Sequence, residues 1–280
     1  MEQIYEIIEK LLPFEFIQYD FMKSALLAIL IITPLFGLMG TMIVNNRMAF
    51  FSDALGHSAL TGIGIGIMFG ISDTNLSMIL FAIIFALLLN YIKRKKTVST
   101  DTIISVFSSL STAIGLVILS RGGNFSKYSS LLVGDILSIS AKEILFLFIV
   151  LLLTIIFWCI YFNDLNAISI NETLAKSKKV PTALIDNLFV VLIALIVMLS
   201  IKWVGILIIN ALLILPAAAS RNIASNMREY HLFSLMISIF SGITGLILSF
   251  YMNTATGPTI VMIAATIFFV TLLGKRLFKG

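Results

Sequence analysis

Residues 51–70 read FSDALGHSALTGIGIGIMFG, an apolar segment that carries one carboxylate and one imidazole. Its length and composition predict a membrane-spanning helix. Asp53 and His57 are four residues apart, so their side chains leave the same face of that helix. Gly62 and Gly66 lie on the opposite face, where the absence of side chains lets another helix approach closely. One face therefore offers ligands, and the other offers a packing surface.

The composition of the whole chain is that of a polytopic membrane protein. Hydrophobic residues make up 59% of the 280 residues and charged residues 12%, and the mean hydropathy is +1.08. Soluble domains contain about 25% charged residues. We expect no cleavable signal, because the first long apolar run follows a Glu-rich segment and the apolar segments can direct insertion themselves. The single cysteine, Cys159, excludes an internal disulfide and a thiolate metal cluster.

Apolar runs of about 20 residues, the length needed to cross a bilayer, recur along the chain. They predict an all-α polytopic membrane protein with nine transmembrane helices. The count falls to eight if the seventh run, which is short and contains Pro216, only re-enters the membrane. The predicted spans are residues 22–44, 49–69, 76–92, 102–120, 144–161, 182–199, 204–218, 232–251 and 258–273.

The basic residues predict which loops face the cytoplasm. With the N-terminus outside and the C-terminus inside, the inner loops hold thirteen of the nineteen Lys and Arg residues, as the positive-inside rule requires. Because insertion topology accounts for most of the net charge of +5, we expect no nucleic-acid binding. The inner set is Arg47, Lys93, Arg94, Lys95, Lys96, Lys176, Lys178, Lys179, Arg221, Arg228, Lys275, Arg276 and Lys279.

Residues 1–20 are predicted to form an N-terminal amphipathic segment that precedes a single transmembrane domain, residues 21–280. Glu2, Glu6 and Glu9 would share one stripe of a helix at the membrane surface, with apolar side chains opposite. These carboxylates form either a solvated face or a group that attracts cations.

A hydrophilic stretch at residues 163–181, NDLNAISINETLAKSKKVP, separates the fifth and sixth spans. Its 171–179 part predicts a short helix with Asn171 as N-cap and Glu172 in the first turn. Pro181 prevents continuation of that helix. A short capped helix on the cytoplasmic face would suit a soluble partner; an ordinary connecting loop is the alternative.

Two further groups of polar side chains lie within predicted spans. Ser105, Ser108, Ser109 and Thr112 share one face of the fourth span, where they either line a hydrated path or bond to carbonyls and neighbouring helices. Asn210 lies inside the seventh run and needs a hydrogen-bond partner, so we expect that segment to be packed in protein.

Five motifs in order make the chain similar to the permease subunits of zinc, manganese and iron ABC importers. The resemblance runs from about residue 34 to the C-terminus. It implies a type II ABC importer-like permease, a permease dimer in a prokaryotic cytoplasmic membrane, two cytoplasmic ATPases and an extracytoplasmic metal-binding protein. The motifs are NRMAFFSDALGHSAL (46–60), DTIISVFSSLSTAIGL (101–116), LLVGDILSIS (131–140), VGILIINALLILPAAASR (204–221) and TATGPTIVM (254–262).

The resemblance also implies roles for individual residues. Asp53 and His57 match the Asp and His that meet the transported ion. Asp135, in the VGD motif, is a weaker candidate for docking or for admitting the ion, and Asn210 and Ser109 are secondary candidates along the path.

The 171–179 segment matches the coupling helix that the ATPase receives. This chain has Lys179 where the family usually has a glycine at the end of that helix, which puts its left-handed cap in question. The residues assigned to ATPase coupling are Asn171, Glu172, Leu174, Ala175 and Lys176.

The chemistry of the Asp53 and His57 pair suits a transported divalent ion. Carboxylate and neutral imidazole bind Mn²⁺, Fe²⁺ or Zn²⁺, and two ligands per subunit, completed across a dimer axis or by water, would release the ion again. Asp53 lies four residues after residue 49, where the predicted span begins. This separation corresponds to about 6 Å of helical rise, which places the pair in the inner half of the path. Alternatively, the two side chains bond each other and neighbouring helices.

The chain has no GxxxxGK[ST] loop, so we expect it to bind no ATP in the Walker manner, to be no enzyme and to hold no permanent cofactor. Energy would then come from a separate ATPase. The alternative is a stand-alone secondary cation carrier or channel that uses the same pair with proton coupling.

Overall fold

The computed structural model describes residues 5, 6, 9, 15–71, 73–95, 99–121 and 125–278. This part of the chain is helical and contains no strand. The predicted all-α class is therefore confirmed. The helices are α1 Asp20–Asn45, α2 Ala49–Met68, α3 Thr74–Arg94, α4 Thr100–Arg121, α5 Ala141–Ile170, α6 Glu172–Ser177, α7 Thr182–Val204, α8 Ile206–Ile223, α9 Met227–Met252 and α10 Thr256–Phe278. Short helical turns at Glu15–Gln18, Phe125–Tyr128, Ser129–Leu132 and Ile136–Ser138 supplement them.

Eight helices of the described chain are long and apolar enough to cross a membrane, and α2 is not among them. Helix α2 has the necessary length, 20 residues, but its glycines, serines, Asp53 and His57 lower its hydropathy. A helix of this composition is unfavourable in contact with lipid and needs protein around it. The structure provides this environment around most of the helix, because α3, α4, α7 and α8 all pack against α2.

The two ends of α2 lie at opposite ends of the helical bundle. Just before α2, Asn46 and Arg47 line a cavity together with Arg94. Just after it, Asp73 lines a different cavity together with Lys127 and Lys202. Helix α2 therefore runs between the same two sides as its neighbours, and it is the ninth long helix of the described chain to do so.

Small residues on α2 allow its close packing against α3. A Cβ atom added at Gly62 would lie 3.0 Å from the Cα of Met78, and one added at Gly66 would overlap the side chain of Ser77. The Ser77 hydroxyl donates a hydrogen bond to the Gly62 carbonyl. The predicted packing face is confirmed. Lipid is as apolar as the side chains of the bundle, so such close contacts, rather than burial itself, hold membrane helices together.

The predicted boundary between the sixth and seventh spans was wrong. The prediction ended one span at residue 199 and began the next at Val204, whereas α7 continues through Val204 and α8 begins at Ile206. Only Gly205 separates them, with a φ of 91° that favours glycine. Helix α8 is continuous through Pro216 over 18 residues, so the doubtful seventh run is a full helix.

The loop after α7 is tied to the segment before α5 by a contact between two glycines. Gly134 also has a positive φ, 71°, and a Cβ atom on either glycine would overlap the other segment's backbone. Beside them the Asp135 amide donates to the Lys202 carbonyl at 3.1 Å. The chain between α4 and α5 is thereby fixed against the break between α7 and α8.

Helix α5 is longer than the apolar run that predicts it. The predicted span is residues 144–161, but the helix extends to Ile170 and includes the first part of the hydrophilic stretch. No Gly or Pro interrupts residues 162–170, and the Asn166 side-chain amide donates to the Phe162 carbonyl at 2.9 Å. Polar side chains end the apolar run but do not end the helix.

Candidate functional site

Asp53 and His57 face an open groove between α2 and α4 with a volume of about 550 Å³. The groove follows the first half of α2 and the middle of α4. Its lining combines the two ionisable groups with hydroxyl and apolar side chains. The lining residues are Phe50, Asp53, His57, Ile104, Ser105, Ser108, Ser109, Thr112, Ala113 and Leu116.

The two ionisable side chains are close together and open to the groove. Asp53 Oδ1 lies 3.8 Å from His57 Nε2, and the side chains are 38% and 30% exposed, respectively. That distance is longer than a direct hydrogen bond. The carboxylate and the imidazole therefore face the same space, and neither is occupied by a direct hydrogen bond to the other.

The hydroxyl groups of α4 line the side of the groove opposite the pair. All four side chains that the sequence placed on one face, Ser105, Ser108, Ser109 and Thr112, lie along it. Ser105 and Ser109 are exposed. The Thr112 hydroxyl donates to the Ser108 carbonyl at 2.8 Å, as hydroxyls within helices often do. This face lines a polar groove, and Ser109 shares that groove with Asp53.

Asn210 meets α2 beside the ionisable pair. The Ser52 hydroxyl donates to Asn210 Oδ1 at 2.5 Å, which links α8 to the residue that precedes Asp53. The amide therefore has a partner inside the protein, as we predicted. Asn210 supports the helix that carries the pair and does not line the groove.

Asp135 lies apart from the groove. Its side chain accepts a hydrogen bond from the Leu137 amide at 3.0 Å and caps the helical turn Ile136–Ser138. The residue is exposed, in the segment between α4 and α5. The structure thus gives Asp135 a local structural contact, away from Asp53 and His57.

The described residues contain no cluster of three or more His, Cys, Asp or Glu side chains that could hold a metal ion. Asp53 and His57 are thus a two-ligand pair within one chain. Four-coordinate zinc sites need more ligands than this. A bound ion would take its remaining ligands from hydroxyls, water or a second copy of the chain.

Helix α6 forms where the sequence predicts it. The Asn171 side chain caps it by accepting from the Leu174 amide at 3.0 Å, and Glu172 Oε1 lies 2.6 Å from Lys176 Nζ. Leu174 is 54% exposed. Ala175 is only 1% exposed, so its side chain is buried against the bundle.

The C-terminus of α6 adopts a left-handed cap without a glycine. Lys179 has a φ of 61°. Its amide donates to the Lys176 carbonyl at 2.9 Å, and the Val180 amide donates to the Ala175 carbonyl at 3.1 Å. This pattern is a Schellman motif with Lys179 at the left-handed position. The cap geometry typical of glycine is kept despite the lysine.

Lys179→Gly is expected to stabilise the protein by up to about 1 kcal/mol, because glycine adopts the left-handed region without the cost that a Cβ atom imposes. The gain is limited because glycine also gains freedom in the unfolded chain. Thermal unfolding in detergent would measure it. The matched control is Lys178→Gly at the preceding position, which has a φ of −83° and should not stabilise. An equal gain from both variants would contradict the argument.

Two residues that the sequence marks only as topological charges contact α6 and the start of α2. Arg94 Nη2 lies 3.9 Å from Glu172 Oε1 on α6, and Lys93 Nζ lies 3.3 Å from Met48 Sδ at the start of α2. Both line a cavity of about 370 Å³ with Asp186. In the sequence, Lys93 and Arg94 stand out only as part of the basic run at the end of the third span. That run does not identify Met48 and Glu172 as their partners.

Most of the predicted N-terminal amphipathic helix, including Glu2, lies outside the described residues. Within the described part, Glu9 Oε2 lies 3.0 Å from Lys23 Nζ at the start of α1. Asp20 Oδ1 lies 3.2 Å from the same ammonium group. Glu9 therefore interacts with the permease bundle itself.

A bundle that crosses the membrane many times and encloses a helix with ligand groups defines the class of transport permeases. The chain belongs to the ABC 3 transport family, whose model matches residues 18–275. This membership also fits the five ordered motifs in the sequence.

Individual relatives cover nearly the whole chain. The high-affinity zinc uptake system membrane protein ZnuB of Buchnera aphidicola subsp. Baizongia pistaciae is 31% identical, over 90% of this chain and 97% of the relative. The manganese transport system membrane protein MntC of Listeria innocua is 25% identical, over 91% of each. The solved structure of PsaBC from Streptococcus pneumoniae in complex with Fab matches 97% of this chain and 95% of that chain, with a TM-score of 0.78 and 25% identity.

Proposed function

We propose that this chain is the membrane-spanning permease subunit of an ATP-driven importer of divalent transition metal ions. The observation that carries the proposal is the Asp53 and His57 pair, which faces a groove lined by α4 hydroxyls. Carboxylate and imidazole ligands suit Zn²⁺, Mn²⁺ and Fe²⁺. The relatives from Buchnera and Listeria are named for zinc and manganese transport, which supports a metal ion as the cargo.

The exposure of the pair supports a path between two copies of the chain. Contact between an aspartate and lipid is costly within the membrane, by up to about 2.5 to 3.5 kcal/mol at the bilayer centre even on the lenient insertion scale. The 38% exposure of Asp53 and the exposed hydroxyls of Ser105 and Ser109 would therefore be unfavourable against lipid. A second copy that covers the groove would exclude lipid and supply the ligands that one chain lacks. The ion would pass along this interface.

The two ends of the bundle suit two different soluble partners. Helix α6, with Leu174 and Lys176 exposed, would receive a cytoplasmic ABC ATPase, which would hydrolyse ATP on behalf of this non-catalytic subunit. The opposite end, with Asp73, Lys127 and Lys202 around a cavity of about 570 Å³, would receive an extracytoplasmic metal-binding protein. Asp135 lies next to the Lys202 backbone and would contribute to docking or to admitting the ion.

This assignment implies a definite topology. The N-terminus would lie outside the cytoplasmic membrane and the C-terminus inside, with residues 21–280 acting as one permease domain. The Asp53 and His57 pair would then lie in the inner half of the path, near the start of α2. The transported ion would be cargo that the chain does not retain.

The proposal is tested by transport in proteoliposomes. The chain, purified with the ATPase that accompanies it, is reconstituted, and uptake of radiolabelled zinc and manganese is followed with and without ATP in the presence of the extracytoplasmic metal-binding protein. We expect uptake that requires ATP and persists when the proton gradient is collapsed. Uptake driven by a proton gradient without ATP would instead identify the stand-alone carrier that the sequence left open, and would refute the proposal.

A further inference from the structure

Two consecutive residues at the end of α3 contact two different functional elements. Arg94 points to the helix α6 region, where its Nη2 lies 3.9 Å from Glu172 Oε1 and 3.4 Å from the Thr182 hydroxyl at the start of α7. The Arg94 side chain is 23% exposed and that of Glu172 is 27% exposed, so the pair is largely shielded from solvent. A shielded pair resists separation better than one on an open surface.

Lys93 points the other way, to the start of α2. Its Nζ lies 3.3 Å from Met48 Sδ. Met48 is the N-cap residue of α2 and is 1% exposed, so its position is closely tied to that of the helix. Asp53 follows five residues later, little more than one helical turn from this contact.

The charges around Lys93 connect the two contacts. Asp186 and Glu172 line the same cavity as Lys93 and Arg94, where unlike charges attract one another. Glu172 is also the acidic partner of Arg94. One carboxylate of α6 is therefore coupled to both basic residues of α3, and a displacement of α6 changes the forces on each of them.

The location of Lys93 and Arg94 at the cytoplasmic end of a span does not by itself explain their contacts. Basic residues there favour correct insertion and interact with the helix dipole wherever they point. Lys95 serves those two purposes at the same helix end, but it is exposed and its Nζ lies 4.7 Å from the centre of the Tyr91 ring. Lys93 and Arg94 differ from it in reaching α2 and α6.

We infer that Lys93 and Arg94 are positioning residues that transmit movement of α6 to the start of α2, and so to Asp53 and His57. This inference rests on the proposed function, since it takes α6 as the ATPase contact and the Asp53 and His57 pair as the ion site. Neither residue touches the ion. Their expected effect is on the coupling between ATP hydrolysis and transport.

The test measures uptake and ATP hydrolysis in the reconstituted complex for Arg94→Gln, Lys93→Met and the matched control Lys95→Gln. Substitutions within a coupled network change coupling by roughly 2- to 30-fold. We expect the number of ions transported per ATP hydrolysed to fall about tenfold in Arg94→Gln and Lys93→Met. The ratio in Lys95→Gln should remain that of the wild type. A wild-type ratio in both of the first two variants would overturn the inference.

A structural role is separated from a coupling role by two further measurements. Loss of ATPase binding, or of a monodisperse complex, in the Lys93 and Arg94 variants would assign these residues to assembly and refute the inference. Arg94→Lys keeps the charge toward Glu172, and we expect it to recover much of the transport ratio. Failure of ATP-driven uptake in the wild type would refute the proposed function instead, so the two failures are distinguishable.

The pairing of Arg94 with Glu172 is tested by a double-mutant cycle. We expect Arg94→Gln and Glu172→Gln to lower the transport ratio similarly, and the double variant to be no worse than either, because both remove one interaction. Lys95→Gln serves again as the control, because Lys95 is exposed and its ammonium group lies against the Tyr91 ring. Additive losses in the double variant would show that the two residues act independently.

Discussion

Replacing Asp53 or His57 with alanine is expected to reduce ATP-driven metal uptake to the level of empty vesicles. Each chain offers two strong ligand groups in the groove, so removal of either leaves one. Loss of a residue that merely supports a metal ligand already costs about 10- to 100-fold, and loss of a ligand should cost more. Uptake of radiolabelled metal in proteoliposomes is the measurement, with size-exclusion chromatography to verify assembly.

Conservative variants separate metal contact from packing. Asp53→Asn keeps the volume of the side chain but removes its charge, and we expect nearly the same loss as with alanine. Asp101→Asn provides the control, since Asp101 is an exposed carboxylate in the first turn of α4 and should not affect uptake. Wild-type uptake by Asp53→Ala and His57→Ala would show that the pair only stabilises the bundle.

The second large effect is expected from Gly40→Ala in α1. A Cβ atom at this position would overlap the backbone carbonyl oxygen of Leu213 in α8 and lie 3.4 Å from the Cβ of Ala217. A backbone atom cannot rotate away as a side chain can, so the two helices must separate. Overpacking costs about 1 to 3 kcal/mol in well-packed interiors, and we expect a loss at the upper end of that range.

Thermal unfolding in detergent measures this loss, and Gly274→Ala is its matched control. A Cβ atom added at Gly274, near the end of α10, meets no atom within 4 Å. The better helix propensity of alanine should make that variant equal to the wild type or more stable by up to about 1 kcal/mol. Equal stability of Gly40→Ala and Gly274→Ala would show that α1 and α8 do not pack as closely as described.

Much of the candidate site follows from local sequence patterns. The four-residue spacing of Asp53 and His57 places them on one face of α2, and the hydroxyl spacing in the fourth span places Ser105 and Ser109 on one face of α4. That both faces line a single groove depends on the packing of α2 against α4, which no local pattern specifies. The end of α6 is a mixed case, because Lys179 does not predict the left-handed cap it forms.

The sequence by itself determined the helices and their local features. Helical periodicity, apolar length and capping residues act over a few positions, and they are sufficient for the all-α class, most spans and the Asn171 cap. Family motifs in order added the family itself. These features depend on interactions between residues close in the chain, so they can be recognised without knowledge of the fold.

Only the tertiary structure decided how those helices work together. Packing of neighbouring helices around α2 makes its polar composition tolerable. A contact between Gly134 and Gly205 sets the break between α7 and α8, and Ala175 is buried against the bundle. Lys93 and Arg94 acquire partners 45 and 78 positions away in the chain, Met48 and Glu172. Contacts at such separations arise from the packing of whole helices, which local sequence preferences do not encode.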